Sequence, residues 1–163
     1  MEHLWAPWRI EYIRQASGHE EGSCILCDHP DVKDDAKNFI LYHGKYNYVI
    51  MNRYPYNAGH LMVAPERHVG ELDGLTDVER NEHFELVSRC VGILRQTFNC
   101  DGFNVGLNLG RVAGAGIDQH IHTHIVPRWN GDSNFMPVIG DTKVINQAVE
   151  ETYKLLKPEF DSL

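Results

Sequence analysis

The run His120-Ile121-His122-Thr123-His124-Ile125-Val126 constrains this chain more than any other segment, because it sets three imidazoles at alternate positions among β-branched residues. Period-two alternation predicts a strand, whose successive side chains face opposite sides. On that reading His120, His122 and His124 share one face, while Ile121, Thr123 and Ile125 turn into a core. At a rise of about 3.3 Å per residue, neighbouring rings lie roughly 7 Å apart. One face is built for chemistry and the other for packing.

Imidazole near neutral pH serves as nucleophile, proton carrier or metal ligand. Three readings follow: a sheet face that is merely rich in histidine, a three-histidine zinc site of the kind that His-x-His on a strand supplies, or a nucleophilic centre. The motif alone does not choose among them.

The rest of the chain supplies a scaffold around that strand. Strands are predicted at about 39–43, 46–51 and 60–64, with the turn 52–59 between the last two. A helix over 77–98 opens on the capping box of Thr76 and Glu79 and carries Phe84, Val87, Val91, Leu94 and Phe98 at helical spacing. It reads as ordinary scaffold. Residues 102–109 alternate as a strand, 110–116 form a Gly-rich loop, and a last helix over 142–156 turns Val144, Val149, Tyr153 and Leu156 toward the core. This order predicts an α+β fold with a mostly antiparallel sheet of about five strands, one central helix and one C-terminal helix. Residues 31–37 read as a charged linker, and 1–23, with Trp5, Trp8 and Tyr12, as an arm docked on the domain or on a second subunit.

A chain of 163 residues is the length of one domain and buries about two thirds of its unfolded surface. Its formal net charge of −8 argues against non-specific binding to nucleic acid or anionic membrane, either of which needs a basic field. No apolar run approaches the ~20 residues of a membrane span, and no secretory leader pattern opens the chain; the expectation is a cytoplasmic protein. An anionic small substrate remains compatible, since amides, histidines and one or two arginines can hold phosphates locally.

Of the four cysteines, Cys24-Ile25-Leu26-Cys27 form a Cys-x-x-Cys knuckle. Without a surrounding thioredoxin-like pattern, such a pair in a cytosolic chain points to a metal. Zinc in a structural site takes four ligands, so two more donors are required. Cys90 and Cys100 are expected to be buried as small apolar residues.

The seven residues from His120 match the His-φ-His-φ-His-φ-φ signature of the histidine triad (HIT) superfamily, with Thr123 as the one polar φ position. Asn52, Gly59-His60-Leu61-Met62-Val63, the following helix and Asn108 before the Gly-rich loop fall in that family's order, so the resemblance spans about 24–130. Leu4-Trp5-Ala6-Pro7-Trp8-Arg9, and Val126-Pro127-Arg128-Trp129 with its continuation to Phe135 and Lys143-Val144-Ile145, are similar to the branch of bacterial diadenosine polyphosphate phosphorylases and hydrolases. The implied organisation is a single HIT domain over 1–163, with an arm at 1–23, a core at 24–137 and a C-terminal helical region at 138–163.

The resemblance implies roles residue by residue. His122 is the nucleophile that forms a nucleotidyl-histidine, and His124 stabilises phosphate charge and helps the leaving group depart. Members often carry Gly-Gln-Ser/Thr where this chain has Gly116-Ile117-Asp118-Gln119, which leaves Gln119 as the candidate for leaving-group assistance. Asn52 corresponds to the ribose ligand and Asn108 to an amide near the α-phosphate. His60 either joins the site's hydrogen-bond network or orients a strand, Gly114 and Gly116 supply amides, and Arg128 and Lys143 are candidates for distal phosphates. In related members a Cys-x-x-Cys pair is completed by two histidines, which here are His68 and His120; the implied cofactor is structural zinc. The implied activity is cleavage of dinucleoside polyphosphates, diadenosine tetraphosphate first, by a homodimer. An adenosine 5′-phosphoramidase uses the same residues, and a nucleotide-binding interaction protein with little turnover is the reading from a different class. Galactose-1-phosphate uridylyl transfer fits less well, because that branch places Gln where His124 stands.

Overall fold

Two consecutive runs, Tyr48-Val49-Ile50-Met51 and Leu61-Met62-Val63-Ala64, are apolar at every position instead of alternating, which is the pattern of strands covered on both faces. A computed structural model describes residues 24–28, 34–132 and 148–163. In it those runs form β2 (Asn47–Met51) and β3 (Leu61–Pro65), buried at every residue. They are flanked by β1 (Ile40–His43) on one side, and by β5 (Thr123–Arg128) and β4 (Gly102–Leu107) on the other. The order is β1-β2-β3-β5-β4, with all neighbours antiparallel.

Two long helices cover one face: α3 (Asp77–Phe98) and α4 (Val149–Asp161). Leu86, Val87, Cys90 and Leu94 of α3 and Tyr153, Leu156 and Phe160 of α4 pack on Val49, Met51, Leu61, Val63 and Ile125. The opposite face carries a smaller cluster, Ile40, Tyr48, Ile50, Met62 and Ala64, covered by Leu26 from the single turn α1 (Ile25–Asp28). A second single turn, α2 (Asp35–Asn38), is capped by the Asp34 carboxylate, which accepts from Lys37 N. Part of the stretch expected as a linker, 34–37, is therefore structured as this capped turn; 31–33 lie outside the described residues. No helix among the described residues is long and apolar enough to cross a membrane.

The boundaries depart from the sequence expectations where local chemistry intervenes. Phe39 does not open β1, because it sits at φ 60° as the left-handed cap of α2. The last helix starts after Ala148 and runs through Pro158 to Asp161, so that Phe160 reaches the core; residues 142–147, with Val144, lie outside the described set. A proline in the last turn removes one hydrogen bond near an end that frays anyway.

On α3 the buried stripe is Glu79, His83, Leu86, Val87, Cys90 and Leu94, whereas Phe84 is exposed. The sequence reading put Phe84 inside because it is apolar, yet the stripe includes two polar residues that are satisfied by partners. The His83 ring bridges Asn47 Oδ1 at 2.9 Å and Thr123 Oγ1 at 2.7 Å. Asn47 Nδ2 donates to Glu79 O and Glu82 Oε2, both at 3.0 Å, so its Oδ1 accepts from His83 Nδ1–H and the Thr123 hydroxyl donates to His83 Nε2. Burial pushes His83 down to about 4, and it remains neutral. Thr123, the polar residue at an apolar position of the motif, thus has a buried partner. Cys90 is buried as expected, but Cys100 is only partly so.

The α3 N-terminus is held by a reciprocal cap: Thr76 Oγ1 accepts from Glu79 N at 3.4 Å, and Glu79 accepts from Thr76 N at 2.7 Å and from the Arg67 guanidinium at 2.8 Å. Arg67, with Thr76 assisting, holds the Glu79 carboxyl down to about 2. A carboxyl depressed in the folded state contributes stability that is present above its ordinary value near 4.5 and lost as pH falls through about 2. Glu79→Gln is expected to cost about 1 kcal/mol at pH 7. The difference from the parent should close between pH 4.5 and 2 in urea titrations.

Candidate active site and metal centre

The cross-strand register lines up Ile40, Ile50, Met62, His124 and Gly106 across the sheet, all on the face away from α3 and α4. Ile50, Met62 and His124 of this row form the floor of a solvent-open cleft. Ile25 and Leu26 of α1 and Ile117 form apolar walls. The segment Asn52–Tyr54 with Tyr56, the loop residues Gly114 and Gly116, and the rings of His122 and His124 complete the lining.

The three motif histidines are not equivalent. Regular pairing of β5 begins at Thr123, so His120 and His122 precede the strand instead of lying on it, which corrects the shared strand face expected from alternation. Upstream of Thr123 the chain leaves β4, which ends at Leu107, and docks on the segment after β3, with Ile121 N donating to Val69 O at 2.7 Å. Gly70 permits that approach: a Cβ there would meet the backbone of Asp118 and Gln119 at 3.0–3.1 Å. The docking sets His68 beside His120, ring centroids 5.4 Å apart. His122 and His124 face each other at 4.8 Å.

Hydrogen bonds assign the tautomers. Tyr56 N donates to His60 Nδ1 at 3.1 Å, so His60 carries its proton on Nε2 and donates to His124 Nδ1 at 3.0 Å. His124 in its neutral form then presents Nε2–H. His122 donates from Nδ1 to the His120 carbonyl at 2.9 Å, which leaves Nε2 with its lone pair. Burial holds His122 below the ordinary imidazole range, against the opposing hydrogen bond to His120. The pair is one unprotonated nitrogen beside one N–H donor. That combination can attack an electrophilic phosphorus and stabilise the charge that develops on its oxygens or leaving group.

His120 points elsewhere. Its Nε2 donates to Pro65 O at 2.8 Å, so Nδ1 is the unprotonated nitrogen, lying 3.4 Å from Cys24 Sγ and 3.3 Å from Cys27 Sγ. His68 Nδ1 is 3.0 Å from Cys27 Sγ. The four ligand atoms lie within 4.8 Å of one another, and the three separations of 3.0–3.4 Å are near the roughly 3.5 Å edges of a tetrahedron with metal–sulfur bonds of about 2.3 Å and metal–nitrogen bonds of about 2.0 Å. Burial pushes His120 down to about 4, the neutral form a ligand requires, and the Pro65 carbonyl holds its second nitrogen as outer partners of ligating histidines do. Cys24, Cys27, His68 and His120 therefore form a cluster able to hold a metal ion.

The other expected site residues divide between the cleft and its surroundings. Asn52 lines it, its Oδ1 accepting from Tyr54 N at 2.9 Å. Asn108 donates to Gly114 O at 3.4 Å and braces the loop without being a lining residue. Gln119 is exposed and does not line the cleft. Arg128 does not reach it either: Asp132 takes its guanidinium through two bonds of 2.6 and 2.8 Å, and Asn104 through a third of 2.6 Å. Lys143 and the arm 1–23 lie outside the described residues. Sequence reasoning missed Ile25, Leu26, Tyr56 and Ile117 as wall residues. Ile25 and Leu26 were in view as the interior of the knuckle, but no periodicity marks a two-residue wall.

The sequence model of the HIT domain family matches residues 33–131. The chain belongs to the HIT family. It is 38% identical over 166 residues to a protein of Mycobacterium tuberculosis named AP-4-A phosphorylase, covering 98% of this chain and 85% of that one. It is 32% identical over 91 residues to the bis(5′-adenosyl)-triphosphatase of Saccharomyces cerevisiae, covering 55% of this chain and 44% of that one. The crystal structure of a zinc-bound histidine triad family protein from Mycobacterium smegmatis superposes with a TM-score of 0.68 at 26% identity, covering 86% of this HIT chain and 94% of that one.

Arg128 in this HIT domain ties the end of β5 to Asp132, whose carboxylate also accepts from Asn57 Nδ2 at 2.8 Å. Arg128→Met should lower stability by about 2 kcal/mol by leaving a largely buried carboxylate short of a partner. Calorimetric titration should show nucleotide affinity within twofold of the parent.

Proposed function

We propose that this HIT protein cleaves dinucleoside polyphosphates, diadenosine tetraphosphate first among them, through a nucleotidyl intermediate on His122. The observation that carries this reading is the tautomer chain Tyr56–His60–His124 set beside the oppositely arranged His122. His122 Nε2 attacks the α-phosphorus, a P–N bond forms, and the P–O bond to the leaving nucleoside polyphosphate breaks as His124 Nε2–H donates to the departing oxygen. Asn52 at the cleft's edge fits a ribose hydroxyl, the walls of Ile25, Leu26 and Ile117 fit a base, and the amides near Gly114 and Gly116 fit phosphate oxygens. Inorganic phosphate is the acceptor we place first, because the relative named AP-4-A phosphorylase aligns over nearly the whole chain. Phosphate then displaces His122 from the adenylyl group to give ADP, with ATP as the earlier product.

Zinc is the metal we assign to Cys24, Cys27, His68 and His120, as a structural ion; two thiolates with two imidazoles suit it. It would supply cross-linking of the knuckle to the segment after β3 and to the start of the triad. We also assign a homodimer, which the exposed edge of β4 supports: Val105 is 46% exposed at the end of the sheet. A cytoplasmic location and the single-domain organisation, with core 24–137 between an arm and a C-terminal helical region, complete the reading.

Incubation with diadenosine tetraphosphate, with and without inorganic phosphate, tests it. ADP plus ATP appearing only with phosphate is the expected result. AMP plus ATP without phosphate would replace phosphorolysis by hydrolysis, and AMP binding without product would make the protein a binding module. His122→Ala should lower kcat roughly 10³-fold or more, and His124→Asn about 10²-fold; full turnover by His122→Ala would end the proposed mechanism.

A further inference from the structure

The two residues that separate the thiols of the knuckle are two of the three apolar residues that wall the cleft. Ile25 and Leu26 lie between Cys24 and Cys27 in sequence and line the pocket that also holds His122 and His124. We propose that metal binding at the Cys24–Cys27–His68–His120 cluster and nucleoside binding in the cleft are linked equilibria, each strengthening the other through the Ile25–Leu26 turn and the His120 carbonyl. This deepens the nucleotide reading above and rests on it.

The turn cannot hold its own position. α1 has four residues, well below the length at which a helix is stable alone. Inside it Cys27 N donates to Cys24 O at 2.8 Å, and Tyr48 OH donates to Leu26 O at 2.6 Å. Leu26 is 1% exposed and belongs to the cluster of Tyr48, Ile50 and Met62, against which the partly covered Ile25 and Ile117 also pack. A metal bonded to Cys24 and Cys27 fastens both ends of the turn to His68 and His120, residues that reach the site from two other segments. A base seated against Ile25 and Ile117 fastens the same turn from the cleft side. Whichever ligand binds first bears the ordering cost for the second, which is positive coupling by linkage.

A second route runs through His120. Its Nδ1 faces the thiols and its carbonyl accepts from His122 Nδ1 at 2.9 Å. Fixing the His120 ring on a metal therefore also fixes the acceptor that orients His122, one ring from the phosphate position. By reciprocity, a nucleotide that engages His122 stabilises the ligand geometry of His120.

The test uses the full-length protein loaded with zinc. Zinc release to a chromogenic chelator is followed without nucleotide, with saturating AMP, and with saturating ribose 5-phosphate, which carries phosphate but no base. The expected result is release slowed about fivefold or more by AMP and much less by ribose 5-phosphate. Zinc-stripped protein should bind AMP about tenfold more weakly in calorimetry. Ile25→Ala should retain stoichiometric zinc, bind AMP more weakly, and lose the slowing even at saturating AMP. Should the stripped protein unfold, the release assay and Ile25→Ala, both on loaded protein, still decide the matter. Release indifferent to AMP in a protein that binds AMP and turns over diadenosine tetraphosphate would overturn the linkage and leave the functional reading intact. Equal slowing by ribose 5-phosphate would overturn the base-wall route. A zinc-loaded protein that neither binds AMP nor cleaves the dinucleotide would overturn both.

Discussion

His120 is bonded on three sides, and the rest of the site takes its geometry from that residue. Its Nε2–H reaches Pro65 O at the end of β3, its Nδ1 faces the two thiols, and its carbonyl holds His122 Nδ1–H. Each bond removes a degree of freedom from a neighbour. The first fixes the ring, the second brings the N-terminal knuckle over the sheet, and the third leaves the His122 lone pair on Nε2. A residue in the middle of an apolar strand could not do this, because both of its backbone groups would be committed to the ladder. That His120 and His122 sit before the first regular pair of β5, at Thr123, is what frees the His120 carbonyl to orient a side chain.

The sheet separates the work of adjacent residues. Odd positions of the triad segment serve the helix face: Ile125 joins the main core, and the Thr123 hydroxyl is satisfied by His83 in a chain that continues to Asn47 and Glu82. Of the even positions, His122 and His124 serve the cleft and His120 the thiol cluster. Since β2 and β3 are covered on both faces, Ile50 and Met62 on the cleft floor are nearly as buried as the core beneath them. Low polarity strengthens the His60–His124 hydrogen bond and disfavours protonation of His122. The same burial that builds the fold thus supplies the unprotonated nitrogen that the proposed reaction needs.

Much of this was legible in the sequence, for identifiable reasons. α3 runs over Asp77–Phe98 as expected because Thr76 and Glu79 form a complete capping box, a local signal that tertiary context did not override. The antiparallel sheet followed from short apolar runs separated by turn residues. The separation of His120 from its two neighbours came from the resemblance and the Cys-x-x-Cys pair, and could not have come from alternation, which predicts equivalence. What escaped was non-local. His83 belongs to the inner face of α3 only because Thr123 and Asn47 wait for it there, and Phe84 is displaced outward as a consequence. Arg128 looked available for phosphate until Asp132, four residues on, closed a bidentate pair with it. Pairings of this kind depend on which way a strand end turns, and no spacing rule encodes that.

The charge arrangement bears on how an acidic chain can accept a polyanion. With a net charge of −8, long-range attraction is absent, and the cations near the site are spoken for: Arg128 by Asp132 and Arg111 by Asp118 at 2.8 Å. Among the described residues that line the cleft, Arg53 is the one guanidinium, and part of it is used in donating to Lys37 O. Apart from Arg53, the described lining offers neutral N–H groups to phosphate. Such donors bind an anion by direction more than by charge, and they are strong only where water is excluded. Under the proposed function, the one phosphorus that reacts would lie between His122 and His124, and the apolar walls of Ile25, Leu26 and Ile117 would seat the nucleoside and add affinity without charge. This assigns to a four-residue turn, and to the cluster that fastens it, a share of binding that cationic side chains supply in more basic proteins.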